Sequence, residues 1–509
     1  MININGHLNS SLEASVPVLN RGLAYGDALF ETIKTLNGRI LFWEDHYFRL
    51  MASMRLLRME IPMRFTPEFL ESQIIDLLSF NESNSNSFRV KLTVFRKHGG
   101  FYTPETNDIV KKSEKSVPSI FNYPEISEKG ISYLKNTSLI NRLDDDNLAF
   151  RPGLPPLDVF PINQWKKLLN SYWRHIKTSG LSYSKSTGQI ELKKSICKYL
   201  NISRNIKCSP NQIVVDSGSL QSLYLIANTI LNKGDAVVIE NPLFPNVHSV
   251  FRSSQAHLIT SNIDNEGINM QEIVSQQIKN PKLIHVTPTN QYPLGIKMSL
   301  ERRQELLSWA SKNSCLIIEN DYEYEIANYE SQIPTIFSLD NEDRTIYIGT
   351  FNRLLHPSIR LGYMIVPKYL MPAIEALHEH SHRFVSPSIQ MVMNQFIEKN
   401  YLFQHIKNCI EVSKERHDLF KILFKKHVKT MHIQEKPFSS FHILGLFNEE
   451  KSIEEESEII KLLKQHQISV YPLSKCYVGT SQKTGLIFGF SAVRTSVLKR
   501  KIEKIGQLL

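Results

Sequence analysis

TIYIGTFNRLLHPSIRLGYMIVP, residues 345–367, is the stretch that decides the fold. An apolar run of isoleucine and tyrosine ends in a Gly-Thr-Phe turn, Arg353 follows, and Arg360 precedes a second apolar run. Short apolar runs rich in β-branched residues and bounded by glycine read as buried strands. Basic residues just beyond a strand end suit a phosphate-anchored ligand, with one cation at the reactive end and one at the phosphate. Yet the place where a reactive amine belongs is filled by Arg353, a side chain that stays protonated in proteins.

The same rhythm extends outward. From about residue 148, helix-like stretches alternate with the strands of NQIVVDSG, GDAVVIENP, PKLIHVTP, SCLIIENDYEYEI and RTIYIGTF. That alternation predicts an α/β domain with a mainly parallel sheet covered on both faces. Ligands of such sheets sit at the carboxyl ends of the strands, so the turns carry the chemistry. The DSGSL turn offers the backbone N–H groups of Gly218, Ser219 and Leu220 to an anion at a helix start. NPLFP offers Phe244 as a stacking ring or a core aromatic, TPTNQYPLG offers Asn290 and Tyr292, and NDYEYE offers Asn320, Asp321 and Tyr322.

The bulk numbers set bounds. A chain of 509 residues exceeds what one core serves, so about two to four domains are expected. Charged residues at 22% and hydrophobic ones at 41% are ordinary for a soluble globular protein. The N-terminus MININGHLNSSLEASV lacks a secretory pattern, and no run approaches the roughly 20 apolar residues of a membrane span. Five cysteines (Cys197, Cys208, Cys315, Cys409 and Cys476) without CxxC spacing argue for reduced thiols in the cytoplasm and against a metal site. The net charge of +10 is spread along the chain, and LKRKIEK, residues 498–504, reads as a solvated helical face rather than a nucleic-acid patch.

Residues 1–108 have a different character. GRILFWEDHYFRLMASMRLLRMEIP runs from a strand into a helix with Phe48, Leu50, Met51, Met54 and Leu57 at helical spacing, and FRVKLTVFRKHGG alternates as a strand. Residues 109–147, with KKSEKSVPSIFNYPEISEKG, read as an exposed linker.

Two resemblances follow. FRPGLPPLDVFPINQW, LSYSKSTGQIELKKSICKYL, VDSGSLQSLYLIA, VVIENPLFP, VTPTNQYPLG, IIENDYEYE and GTFNRLLHPSIRLGY together resemble the fold type I, pyridoxal-phosphate aminotransferase-like domain of MocR/GabR-type regulators. It would span residues 148–509, with a C-terminal α/β small subdomain from about residue 400. The resemblance implies that Phe244 stacks on the pyridine ring, Tyr322 bonds its hydroxyl, Arg360 holds the phosphate, and Gly218 and Ser219 complete the cup. NRGLAYGDALFETIK and HYFRLMASMRLLRMEIP resemble the α+β small domain of fold type IV pyridoxal-phosphate enzymes, in which Arg49 matches a phosphate-contacting residue. Lys135, in ISYLKNTS, reads as part of the linker rather than as that fold's lysine.

Two departures shape the expected function, and a third position bears on the substrate. Arg353 stands where the family has the lysine that condenses with the cofactor aldehyde and moves the substrate proton. Asn320 stands where the family has the carboxylate that keeps the pyridine nitrogen protonated, although Asp321 is adjacent. Ile487 aligns with the usual substrate-carboxylate arginine, leaving Arg494 as a substitute. The expectation is a cytoplasmic, homodimeric fusion that holds pyridoxal phosphate non-covalently or has lost it, binds a small amino-acid-like or cofactor-like ligand, and has exchanged transamination for ligand sensing, scaffolding or a vestigial role. The alternatives are an active transaminase that takes its lysine from elsewhere, and a transcription regulator. The third needs a helix-turn-helix that residues 1–108 do not display.

Overall fold

The computed structural model describes residues 2–4, 7–9, 28–36, 39–56, 61, 63, 65–79, 87–95, 125–137, 149–327, 333–434 and 436–509. It divides into two units, Met1–Tyr123 and Pro124–Leu509. In the first unit, β1 (Ile2–Ile4) pairs with β2 (His7–Asn9). β3 (Ala28–Leu36) pairs antiparallel with both β4 (Arg39–Ile40) and β5 (Ser87–Phe95). Helix α1 (Trp43–Leu56) has Glu44 and Asp45 in its first turn and Arg55 in its last, the order its dipole favours. Leu50, Met51 and Met54 are buried as the spacing predicts, but Phe48 is 64% exposed. Leu57 and the Arg96–Gly100 end of the strand reading lie outside the described residues.

The second unit opens with α2 (Glu128–Asn136), inside the stretch expected to be linker. Ser127 caps it through the Gly130 N–H, and the helix docks on the fold it leads into. Ser132 Oγ donates to the Arg252 carbonyl at 3.2 Å, and Ser249 Oγ to the Asn136 carbonyl at 3.2 Å. Polar bonds hold it, because Ile131 and Leu134 remain 40% and 48% exposed.

The eight-stranded sheet has the order β6-β13-β12-β11-β10-β7-β8-β9. Its strands are β6 (Ile213–Asp216), β7 (Ala236–Asn241), β8 (His257–Asp264), β9 (Gly267–Ile268), β10 (Leu283–Val286), β11 (Leu316–Asn320), β12 (Thr345–Thr350) and β13 (Gly362–Ile365). Helix α3 (Ile190–Arg204) precedes β6, and α4 (Ser219–Ile230) follows it. The five central strands β8, β7, β10, β11 and β12 are mutually parallel, and β13 and β9 pair antiparallel with their neighbours. Every residue of β6, β10, β11 and β13 is buried, the pattern of strands covered on both faces. Each such Ile or Val contributes about 1.5–3 kcal/mol by leaving water. The sheet's carboxyl ends therefore sit on a rigid base. This is the mainly parallel α/β architecture that the sequence predicts.

The C-terminal part packs α5 (Tyr401–His427) and α6 (Thr495–Leu508) on an antiparallel sheet of β14 (Met431–Ile433), β15 (His442–Phe447), β17 (Gly485–Gly489) and β16 (Tyr471–Pro472). On α6, Leu498, Ile502 and Ile505 are fully buried while Lys499 and Arg500 face solvent, so these two cations line the outer side of an anchored helix.

Candidate functional site

The carboxyl ends of β6, β7, β10, β11 and β12 converge on one site with two ends. At the first end, β6 stops at Asp216 and α4 starts after Gly218. Asp216 is buried, accepting from the Gly218 N–H at 2.8 Å and from the Ser222 hydroxyl. Burial pushes its carboxyl up to about 7, against the pull of those bonds and of Arg360. Because the Gly218 amide is taken by Asp216, the expectation that it faces an anion is corrected. The Ser219 and Leu220 amides begin α4 and have no carbonyl four residues back to meet. Gly218 matters by shape: its φ is 122°, and a Cβ there would lie 2.3 Å from Asn352 Nδ2.

Arg360 closes the same cup. It sits in the left-handed region at φ 51° and donates from Nη2 to Ser217 Oγ at 3.3 Å. Asn352 straps the two walls together, donating to the Ser217 carbonyl at 3.0 Å and accepting from the Leu361 N–H at 2.8 Å. Nothing in the sequence singled out Asn352 beyond its place beside Arg353.

The second end is aromatic. Phe244 meets Tyr292 edge-on with ring centroids 4.9 Å apart, and Tyr292 lies 6.4 Å from Tyr322. The hydroxyls of Tyr292 and Tyr322, and both side-chain polar atoms of Asn290, are buried without a hydrogen-bond partner. Orphaned buried donors and acceptors cost about 1–3 kcal/mol each, which marks the place as built for a polar guest.

Arg353 enters this end. Its guanidinium carbon lies 5.3 Å from the Phe244 ring centroid and 5.7 Å from that of Tyr322. Nη1 is 3.5 Å from Glu323 Oε1, and the two side chains are 19% and 0% exposed. Gly153, at φ 81°, makes room for it, since a Cβ there would fall 1.9 Å from Nη1. Glu323 is itself fixed, accepting from Ser440 Oγ at 3.0 Å and from the Phe441 N–H at 3.3 Å. Ser440 Oγ is also 2.6 Å from His442 Nδ1, and the His442 ring stands 5.0 Å from Tyr292. Burial lowers the affinity of His442 for a proton. Glu323, Ser440 and His442 were not anticipated, because they reach the site from β11's following turn and from a sheet more than a hundred residues later.

Asn320 ends β11 with its Nδ2 3.3 Å from His285 Nε2. Burial depresses His285 to about 3, so the imidazole is neutral and accepts this bond. Asp321 turns elsewhere, into an ion pair with Arg204 at 2.8 Å and a bond from the Tyr347 hydroxyl at 2.8 Å. The strand-end position thus belongs to the amide and not to the neighbouring carboxylate. Ile487 is fully buried in one cluster with Tyr292, Tyr322 and Leu444. Arg494 is 3.7 Å from Asp158 with its side chain 73% exposed, outside that cluster.

In the first unit, Arg49 forks onto Glu31 at 2.7 and 2.8 Å, and His46 Nδ1 lies 2.8 Å from the same carboxylate. Arg49 therefore holds Glu31 below the usual carboxylate range. Lys135 lies in the last turn of α2. Among the described residues there is no His, Cys, Asp and Glu group that could hold a metal ion, and no helix is long and apolar enough to cross a membrane.

Tested against pyridoxal phosphate, the two ends give different answers. The cup of Ser217, Ser219, Leu220 and Arg360 suits a phosphate, and the orphaned Tyr292, Tyr322 and Asn290 groups suit a ring hydroxyl. When bound, that cofactor supplies an aldehyde for imine chemistry and a ring that takes up electrons. Position 353 offers no amine for the first, and position 320 no negative charge for the second.

Comparison with known proteins gives these features a lineage. Residues 28–139 match the family model for amino-transferase class IV. A Rhizobium meliloti relative described as "Probable rhizopine catabolism regulatory protein MocR" is 26% identical over 75% of this chain and 76% of its own. The Bacillus subtilis HTH-type transcriptional regulator YhdI, described as uncharacterized, is 31% identical over 70% of this chain and 75% of its own. The α-aminoadipate aminotransferase LysN of Thermus thermophilus, solved with N-(5'-phosphopyridoxyl)-L-leucine, superposes with a TM-score of 0.67 at 18% identity, over 74% of this chain and 96% of that one. Residues 154–505 match the model for aminotransferase class I and II, and with this span the chain belongs to that family.

Proposed function

We propose that this aminotransferase-family protein binds pyridoxal phosphate, or a ligand sharing its phosphate and ring, without covalent attachment, and serves as a ligand sensor or scaffold rather than as a transaminase. The observation that carries this reading is Arg353, whose guanidinium lies over Phe244 and Tyr322 and is paired with Glu323. A guanidinium keeps its proton at any pH a protein survives, so it neither attacks an aldehyde nor draws a proton from a substrate carbon. The Ile487 side chain gives a substrate carboxylate no charge partner in the tyrosine cluster. A cytosolic homodimer, the common closed form for soluble oligomers, completes the reading, and sedimentation tests that part.

The deciding experiment adds pyridoxal phosphate to the purified chain, treats it with borohydride and maps the peptides. We expect saturable binding that gel filtration removes and no labelled lysine. A pyridoxyl group on any lysine overturns the reading.

One observation favours a second reading. Lys436 Nζ donates to the Leu294 carbonyl at 2.7 Å, two residues beyond Tyr292, and burial lowers its affinity for a proton. An active transaminase with a relocated amine would carry the label there.

A further inference from the structure

Two of the five cysteines are neighbours, although their spacing suggests nothing. Cys197 lies on α3, the helix before β6. That helix stops at Asn205, which is in the left-handed region at φ 52°. The Ile206 N–H bonds back to the Leu200 carbonyl at 3.2 Å, and Ile206 is fully buried. The chain therefore doubles back along the helix it has just left and returns Cys208 to Cys197, with the sulfurs 3.5 Å apart. Both are half-buried, whereas Cys315, Cys409 and Cys476 are buried.

We propose that Cys197 and Cys208 form a dithiol modification site that hydrogen peroxide or a similar small peroxide converts to an intramolecular disulfide. The sulfurs need to close from 3.5 Å to about 2.0 Å. Cys197 is the attacking sulfur. A hydrogen bond from Cys208 favours its thiolate most, and the Lys193 ammonium one turn earlier on the helix adds to this. The resolving thiol Cys208 is held protonated by the same bond and by burial. The deeply buried thiols are pushed up, Cys315 and Cys409 to about 12. Thiolates, not thiols, are the nucleophiles, so reactivity follows this order.

The chemistry balances without a further reactant. The Cys197 thiolate attacks a peroxide oxygen, the O–O bond breaks, and hydroxide leaves with a sulfenic acid on Cys197. The Cys208 sulfur then attacks the Cys197 sulfur, the S–O bond breaks, and the proton of Cys208 leaves with the departing oxygen as water. Two thiols lose two electrons and two hydrogens, and one peroxide becomes two waters.

Peptide mapping of the full chain after hydrogen peroxide and alkylation tests this. The Cys197 and Cys208 peptides are expected to lose alkylation together and appear cross-linked, lighter by two hydrogens, with dithiothreitol restoring both. The pair should react roughly tenfold or more faster than Cys315, Cys409 or Cys476. Cys208→Ser should leave a sulfenic acid on Cys197 that dimedone traps, and Cys197→Ser should abolish peroxide consumption at the pair. Independent alkylation of both cysteines after peroxide, or a link only between two copies of the chain, overturns the proposal. The wild-type map decides the matter alone if either variant fails to fold.

Discussion

The two ends of the site differ in how much one residue can change them. At the end proposed to hold a phosphate, the walls are the start of α4, the Asp216 bonds that shape the turn, the Asn352 strap and Arg360. The α4 amides are backbone, and the rest is spread over three side chains, so no single residue carries the whole cup. At the ring end the chemistry rests on single side chains, and Arg353 and Asn320 change its nature while Phe244, Tyr292 and Tyr322 keep its shape. Under the proposed reading binding and reaction are therefore separable: an anion cup is distributed, whereas a reactive amine sits at one position.

The largest expected effect comes from reversing the ring end. Arg353→Lys combined with Asn320→Asp should turn undetectable borohydride-trapped labelling into nearly stoichiometric labelling at position 353. Arg353→Lys alone should label less, because Glu323 would hold the new amine as its ammonium at the distance it now holds the guanidinium. If the double variant takes no label, the ring end has changed beyond these two residues. The converse change is at the cup, where Arg360→Gln removes a charge-assisted contact worth about 1.5–3 kcal/mol. Affinity for pyridoxal phosphate, read by fluorescence titration, should fall about 10- to 100-fold, with little change for phosphate-free pyridoxal. An equal loss for both ligands would place Arg360 outside the phosphate contact.

What the sequence revealed follows the same division. Strands β6, β7, β10, β11 and β12 were legible because strands buried on both faces read as apolar runs, and their ends gave Tyr292, Tyr322, Arg353 and Arg360 directly. Helix α2 was not legible, since its stability comes from Ser127, Ser132 and Asn136 bonds rather than from an apolar stripe. Phe48 satisfied helical spacing and still faces solvent, because periodicity names a face without fixing its width. Glu323, Ser440 and His442 meet only in three dimensions. The pairing of Cys197 with Cys208 likewise depends on the left-handed turn at Asn205, which no spacing rule encodes.

The hold on Arg353 offers an intermediate test. Glu323→Gln leaves a largely buried guanidinium without its charge partner, so the chain should lose about 1–3 kcal/mol in urea unfolding. Adding Arg353→Met to that variant should recover much of the loss, because the unpaired cation is then gone. If the two losses simply add, Glu323 acts through Ser440 and Phe441 alone.

The smallest expected effect concerns pH at the cup. Asp216 has its carboxyl raised from 3.8 to about 7 by burial, so the folded chain keeps a proton there that the unfolded chain has lost. Stability from this group is present below about 4 and declines as pH rises through about 7, by at most about 1.4 kcal/mol per pH unit. Glu240, raised to about 7, and Glu325, raised to about 8, act in the same direction, so the wild-type slope alone does not isolate Asp216. Asp216→Asn keeps an acceptor for the Gly218 N–H and removes the ionisation. Its unfolding free energy should therefore decline less steeply than wild type between pH 4 and 7. Inorganic phosphate binding should share the trend, weakening in the wild type as Asp216 gains its charge beside the anion and staying flatter in the variant. Parallel slopes for the two proteins would mean that Asp216 ionises as an ordinary carboxylate, and that the cup owes its anion preference to Arg360 and the helix start alone.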